Sequence, residues 1–392
     1  MRTNANASSV AAPLWEARTR AVWPCRSQAA HTAAATGFVF LGLILLAADW
    51  KIAEPGWRYE FPRDHHAHRE FKTEWWYFTG NLFDSAGRRF GYELTFFREG
   101  IRPVTTRDPG ASRFIVDDLK FAHFAITDVA GKQFRFEQKT RRGAFGEAGF
   151  DDGQRLAWIE NWTLELTGEN EFELRAATSF GALRLHLRPA KQPAVHGENG
   201  VSKKTADGTA ASHYYSLTRF ETTGEITLGE TKHQVRGSSW FDHEWSTSQL
   251  GPGHVGWDWV CVQWENGTEL MLYRMRLANG DADPASSGTW IAADGTRTHL
   301  RASDFQMTPL EFWESKTSGG RYPLVWKVAI PAEKIEFTLK RALDEQELRT
   351  DPIAYWEGAI DASGTQDGQS ITGRGYLELT GYAGRLEETL RR

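Results

Sequence analysis

The densest chemistry-bearing stretch of the 392-residue chain is Gly237 to Trp245, GSSWFDHEW, followed after a Gly-Pro-Gly turn by Val255 to Trp264. Five tryptophans (Trp240, Trp245, Trp257, Trp259 and Trp264) crowd this segment together with Asp242, His243, Glu244 and Asp258. Residues two apart on a strand share a face, so Trp240, Asp242 and Glu244 point one way and Phe241, His243 and Trp245 the other. An acid among rings loses solvation in its charged form, which raises its pKa and suits it to donate a proton. The plainer alternative is a carboxylate that caps a backbone or pairs with an arginine.

Two further patches carry polar chemistry. His213, Tyr214 and Tyr215 open a strand, and the same alternation puts His213 and Tyr215 on one face. Should that strand enter the same cavity as the one near Trp240, then His213, Tyr215, Trp240 and Asp242 converge. Asp64, His65, His66 and His68, with Glu70 and Glu74, form the other patch, directly before Trp75 and Trp76. Such density invites a metal reading, but no HExxH or cysteine-pair spacing accompanies it. Seating the segment by hydrogen bonds, or lining a cavity mouth, is the expected role, and no metal or organic cofactor is expected. Ser239 and Ser246 lie near His243 in sequence and are the candidates for an esterase nucleophile. A G-x-S-x-G elbow, a Walker loop and a Gly-rich βαβ turn are all missing, which weighs against serine hydrolase and nucleotide chemistry.

From Trp57 onward the period is two. Trp75 to Leu82 and Arg89 to Phe97 are aromatic or β-branched runs joined by Asp84, Ser85, Ala86 and Gly87, which predicts a hairpin. Similar runs recur to Thr380, among them Tyr214 to Phe220, Glu225 to Leu228, Val255 to Trp264 and Glu269 to Arg276. Turn residues fall between them, and helical periodicity is confined to short pieces at 331–334 or 344–348. Many short, evenly spaced strands mean a sandwich or a barrel. The hairpin at 75–98 resembles that at 257–276, which favours two β domains, 57–250 and 251–392. The polar stretch 189–212 reads as a long loop inside the first of them.

Residues 1–48 read as an address. Arg18, Arg20 and Arg26 precede an uncharged run, 33–48, whose apolar core is short for a bilayer crossing, a pattern that fits an export signal or an uncleaved anchor. The chain has 46 Lys+Arg against 51 Asp+Glu, a net charge of -5, which argues against an electrostatic nucleic-acid partner. Its two cysteines, Cys25 and Cys261, flank the apolar run, so cohesion after that run rests on burial, chiefly of its many aromatic side chains.

At FPRDHHAHREFKTEWWYFTGNL (61–82), VHGENGVSKK (195–204), ASHYYSLTRF (211–220), GSSWFDHEWSTSQL (237–250) and GWDWVCVQWENGTELMLYRMR (256–276) the chain resembles the AttH family. These lipocalin-like proteins are often labelled secreted hydrolases and are related to carotenoid 1,2-hydratase. The resemblance implies an all-β fold of two lipocalin-like (calycin-type) antiparallel barrels in tandem around an apolar cavity. It also implies a hydratase site of His213, Tyr215, Trp240 and Asp242, with Asp242 as the acid, although Tyr and Trp stand in the reverse order to the carotenoid enzyme. Trp75, Trp76, Tyr77, His243, Glu244, Trp245, Trp257 and Trp259 are expected to contact the ligand. The implied activity is acid-catalysed addition of water to a C=C bond of an isoprenoid or other lipophilic molecule. The alternative is a non-catalytic carrier of such a molecule, associated with a membrane or an ABC-type export system, in an exported or periplasmic location.

Overall fold

Strands Thr73–Asp84 and Arg89–Gly100 pair antiparallel, from Thr73 opposite Glu99 to Phe83 opposite Arg89. The turn is closed by the Asp84 carboxylate, which accepts the Ala86 and Arg88 amides, and by Gly87 at φ 79°. This computed structural model describes residues 50–384 apart from 109, 113, 351 and 352, and the expected export segment, 1–48, lies outside them. Runs that read as separate short strands join into an 18-residue pair, Ala211–Leu228 and Thr231–Ser248, with a register shift between Leu217 and Phe220.

Thirteen strands make one sheet, in which strand 73–84 lies between strands 89–100 and 231–248, and strand 211–228 follows. Its far strands, 118–128 and 133–141, curl back toward Arg155–Ile159 and nearly close a barrel. Ten strands from His254–Trp264 to Gln369–Leu379 form a second sheet, a half-barrel, with 254–264 between Glu269–Leu277 and 369–379. Both sheets belong to one compact unit.

The period of two decides the three largest of four apolar clusters among the described residues. Trp76, Phe78, Tyr92, Phe124, Trp162, Tyr215, Phe241 and Trp245 fill the first barrel. Val260, Trp264, Leu272, Trp326 and Trp356 fill the concave side of the second sheet. The intervening residues on the same strands, Tyr77, Tyr214 and Trp240 from the first sheet and Trp259, Cys261, Tyr273 and Tyr376 from the second, pack outer face against outer face in a third cluster, a seam between the sheets. Burying an aromatic side chain is worth roughly 1.5–3 kcal/mol, so the seam is a major source of cohesion in its own right.

Two expectations change. Helical structure appears at Pro331–Glu333 as a 3-10 turn, whereas Glu347–Arg349 is a short strand. The polar stretch 189–212 is a strap: Ala194–Val195 and Ser202–Lys203 both pair with strand 211–228, and His196 and Lys204 are buried. Among the described residues, no helix is long and apolar enough to cross a membrane.

Candidate active site

The register of the first sheet lines up a polar row on its seam face. His123 lies opposite Thr95, Thr95 opposite Tyr77, Tyr77 opposite Asp242, and Asp242 opposite Ser216. The second sheet supplies a facing row, in which Glu357 lies opposite Glu378, Glu378 opposite Trp259, Trp259 opposite Tyr273 and Tyr273 opposite Ser287. The rows meet where the Trp259 ring sits 5.3 Å from that of Tyr77 and its Nε1 donates to the Tyr214 hydroxyl at 3.1 Å.

Asp242 is at the centre of this meeting and only 3% exposed. Its Oδ2 accepts the Tyr214 hydroxyl at 2.6 Å, while Oδ1 accepts Trp240 Nε1 at 2.5 Å and the Ser216 hydroxyl. Neither a guanidinium nor an ammonium bonds it among the described residues. Burial pushes its pKa up to about 7 against the pull of those three donors, and the nearby Glu244 adds to the rise. Glu244 itself is paired: it accepts from Lys204 Nζ at 2.8 Å and from Ser212. Lys204 also lies over the rings of Tyr273 and Tyr214, at 4.2 and 5.3 Å.

A neutral Asp242 requires one of its hydroxyl partners to accept instead of donate. Ser216 can do so, because its own proton has another acceptor, His196 Nε2, at 2.6 Å. Burial holds His196 well below the usual imidazole range, and its Nδ1 bonds Thr289 Oγ1 at 2.8 Å. Asp242, Ser216 and His196 thus form a hydrogen-bonded relay able to move a proton without exposing charge to the rings. This is not a hydrolase triad, because the acid bonds the serine and leaves the far nitrogen of the histidine to a threonine.

His213 and Tyr215 do not join Asp242. Strand 211–228 pairs Ser216 with Asp242 and Tyr215 with His243, so His213 and Tyr215 project into the first barrel, on the opposite face of the sheet. The Tyr215 hydroxyl lies 2.6 Å from His65 Nδ1 and 3.2 Å from His243 Nδ1. His213 packs 4.9 Å from the Trp57 ring, faces the Gly200 carbonyl, and is pushed down to about 4 by burial. The expected ligand contacts divide likewise. Trp75, Tyr77, Glu244, Trp257 and Trp259 stand on the seam side, while Trp76, His243 and Trp245 pack inside the barrel. An acid looking into a barrel cavity is therefore corrected to an acid between two sheets. Asp258 is paired with Arg274 at 2.8 Å and Arg276 at 3.1 Å.

The patch at 64–74 becomes a buried charge network at one end of the barrel. Glu74 accepts from His68 Nδ1 at 2.8 Å, His243 Nε2 at 3.0 Å and Arg98 Nε at 3.1 Å. Although burial alone would raise it, these partners hold Glu74 well below the usual carboxylate range. His68, Glu74 and His243 carry ligand types suited to zinc, yet each histidine bonds the carboxylate directly and a guanidinium occupies its other oxygen. The set fits an ion-pair network better than a metal. A surface cavity of about 920 Å³ lined by Trp57, Arg63, Asp64 and His68 opens above this network and does not reach Asp242. Ser239 bonds Tyr92 and Thr222, and Ser246 bonds Gln249, so neither has a histidine base.

Sequence reasoning passed over Tyr214, Ser216, His196 and Lys204. The signal for the first two was parity: on paired antiparallel strands the even-numbered Tyr214 and Ser216 share a face with Trp240 and Asp242 once register is known. The histidine and lysine came from a segment read as loop.

Residues 52–382 match the profile of the AttH-like family. A crystal structure of an AttH-type protein from Nitrosomonas europaea is 30% identical, with a TM-score of 0.75 over 85% of this chain and 99% of that one. Kievitone hydratase from Nectria haematococca shares the fold at 14% identity, with a TM-score of 0.64 over 82% of this chain and 92% of its own. No curated protein matches the sequence.

Proposed function

Because the chain belongs to the AttH-like family, we propose that it is an exported, lipocalin-like acid catalyst that adds water across a C=C bond of an isoprenoid or other lipophilic alkene. The observation that carries this reading is the setting of Asp242, which is buried among rings, has no ion-pair partner among the described residues and has its pKa pushed up to about 7 by burial. The alkene reaches it by parting the seam at its half-buried rim, Trp75, Leu250 and Trp257. Asp242 delivers its proton to the less substituted carbon, the π pair forms the new C–H bond, and a tertiary cation is left on the neighbouring carbon. The rings of Trp240, Trp259 and Tyr77 face that charge, each contact worth roughly 0.5–2 kcal/mol. Water adds to the cation, and its surplus proton returns to the Asp242 carboxylate directly or through Ser216 and His196. Turnover falls as pH rises through about 7, because the donor is lost.

The test is incubation of wild-type and Asp242→Asn protein with isoprenoid alkenes in heavy-oxygen water, with mass spectrometry of the extract. Labelled tertiary alcohol from the wild type, and about 10²- to 10⁴-fold less from the variant, is expected for loss of a general acid. Equal lipid capture by both proteins with product from neither would describe a carrier and overturn the acid role.

A further inference from the structure

Beside Asp242 the seam holds a second group of acids that the reaction above does not use. Glu93 comes from strand 89–100, Glu357 from Ala354–Gln366 and Glu378 from 369–379; the first two are buried and Glu378 is half-buried. Glu357 and Glu378 stand directly opposite each other across their strands, where two ionised carboxylates repel. Among the described residues none of the three has an ion-pair partner. Glu93 accepts only Thr95 and Glu378 only Trp257 Nε1, at 3.1 Å. Burial holds all three above the ordinary carboxylate range, reinforced for Glu93 and Glu357 by the other acids of the group and for Glu378 by Asp242 and Glu244.

The same spot collects poorly bonded buried oxygens. Among the described residues Glu93 Oε2 has no hydrogen-bond partner, and Glu357 Oε1, the Tyr77 hydroxyl and the Thr79 hydroxyl make no well-formed bond: Tyr77 and Glu357 have only each other, and Thr79 only the Cys261 sulfur. Tyr77 is 7% exposed and faces Glu357, and Thr79 lies opposite Glu93 across the strands. Each unmet buried group costs about 1–3 kcal/mol, and native folds keep few of them. Polar groups from both sheets thus gather in one place with hydrogen-bonding capacity left over. The group offers hydroxyl and carboxyl protons as well as acceptors, and it provides no fixed charge. That inventory matches a neutral oxygen atom better than a cation, which has no use for donors.

We infer that Glu93, Glu357, Glu378, Tyr77 and Thr79 form a polar subsite that binds a hydroxyl or carbonyl group carried by the lipophilic ligand. This deepens the proposed function and rests on its placement of the ligand in the seam: the substrate is an oxygenated lipid, held at one end by this subsite while its double bond lies at Asp242. Tyr77 links the two places, opposite Asp242 in register and beside Glu357.

The experiment is tryptophan-fluorescence titration with farnesol, farnesene and farnesylamine, which share a chain and differ at one end. The wild type should bind farnesol about ten-fold more tightly than farnesene, the worth of one or two neutral hydrogen bonds. Tyr77→Phe and Glu357→Met should each cut that ratio to about three-fold or less. Each removes one oxygen of a poorly paired set, so both should melt close to the wild-type temperature, which keeps misfolding from mimicking the result. A wild-type ratio near one, a ratio unmoved by both variants, or tighter binding of farnesylamine than of farnesol would overturn the subsite. Asp242→Asn separates this inference from the acid mechanism: a farnesol preference kept in that variant supports the subsite even where hydration is absent from the wild type as well.

Discussion

Replacing Asp242 by Asn should stabilise the protein in alkaline solution and have little effect in mild acid. An aspartate ordinarily titrates near 3.8, and burial moves this one up to about 7. Each tenfold change in proton affinity is worth ~1.4 kcal/mol, so the ionised side chain costs the fold roughly 4 kcal/mol. A group whose folded pKa is raised contributes its full stability only below the unfolded pKa, and that contribution is lost as pH rises through the folded value. The penalty is therefore complete at about pH 9 and roughly 1.5 kcal/mol at about pH 5. Asn keeps an acceptor for Trp240 and Ser216 but turns a donor toward the Tyr214 hydroxyl, a loss of roughly 1 kcal/mol. The net expectation is a gain of about 3 kcal/mol at the higher pH and near zero at the lower. Urea unfolding of both proteins at the two pH values, followed by circular dichroism, measures the difference without needing a substrate. An equal effect of the substitution at both pH values, or a larger loss at about pH 9, would refute a carboxyl held neutral by burial.

Further predictions follow from the two faces of the first sheet. Tyr214→Phe removes a donor to ionised Asp242 and should steepen the loss of stability above about pH 6, whereas Tyr215→Phe should leave that slope unchanged. Tyr215→Phe should still cost about 1–3 kcal/mol, because it leaves the buried His65 Nδ1 without its partner; pH-dependent melting of the two variants distinguishes them. Glu74→Gln removes the charge shared by Arg98, His68 and His243, leaving Arg98 only the Asp118 carboxylate at 3.1 Å, and should cost about 3 kcal/mol. Since the lowered pKa of Glu74 contributes stability that is present above about 4.5 and lost as pH falls, the same variant should show a shallower acid-unfolding slope. Excess zinc should not raise the melting temperature; a clear rise would show His68, Glu74 and His243 parting to ligate it.

Much of this molecule is written in the order of its residues. The period of two from Trp75 to Leu82 and from Val255 to Trp264 specifies strands, and the turn residues 84–87 specify a hairpin where one is found. The same alternation groups Trp240, Asp242 and Glu244 on one face. Pairing and exposure are another matter. Alternation sorts residues into two sets without telling which set looks into a barrel, so Asp242 was as compatible with an interior cavity as with a seam. It also leaves the register between strands open, and a shift by one residue exchanges Ser216 for Tyr215 as the neighbour of Asp242.

The segment 189–212 shows a further limit, since its polar composition reads as loop while its folded path carries His196 and Lys204 into the seam. Glu93, Glu357 and Glu378 lie in different parts of the sequence and become neighbours only because two sheets meet by their outer faces. Local chemistry, the strands and the acid among its tryptophans were thus determined by sequence alone. Which face is buried, against which partner, and with what consequence for a proton were decided by the packing of one sheet on the other, because desolvation is a property of the surroundings and not of the residue.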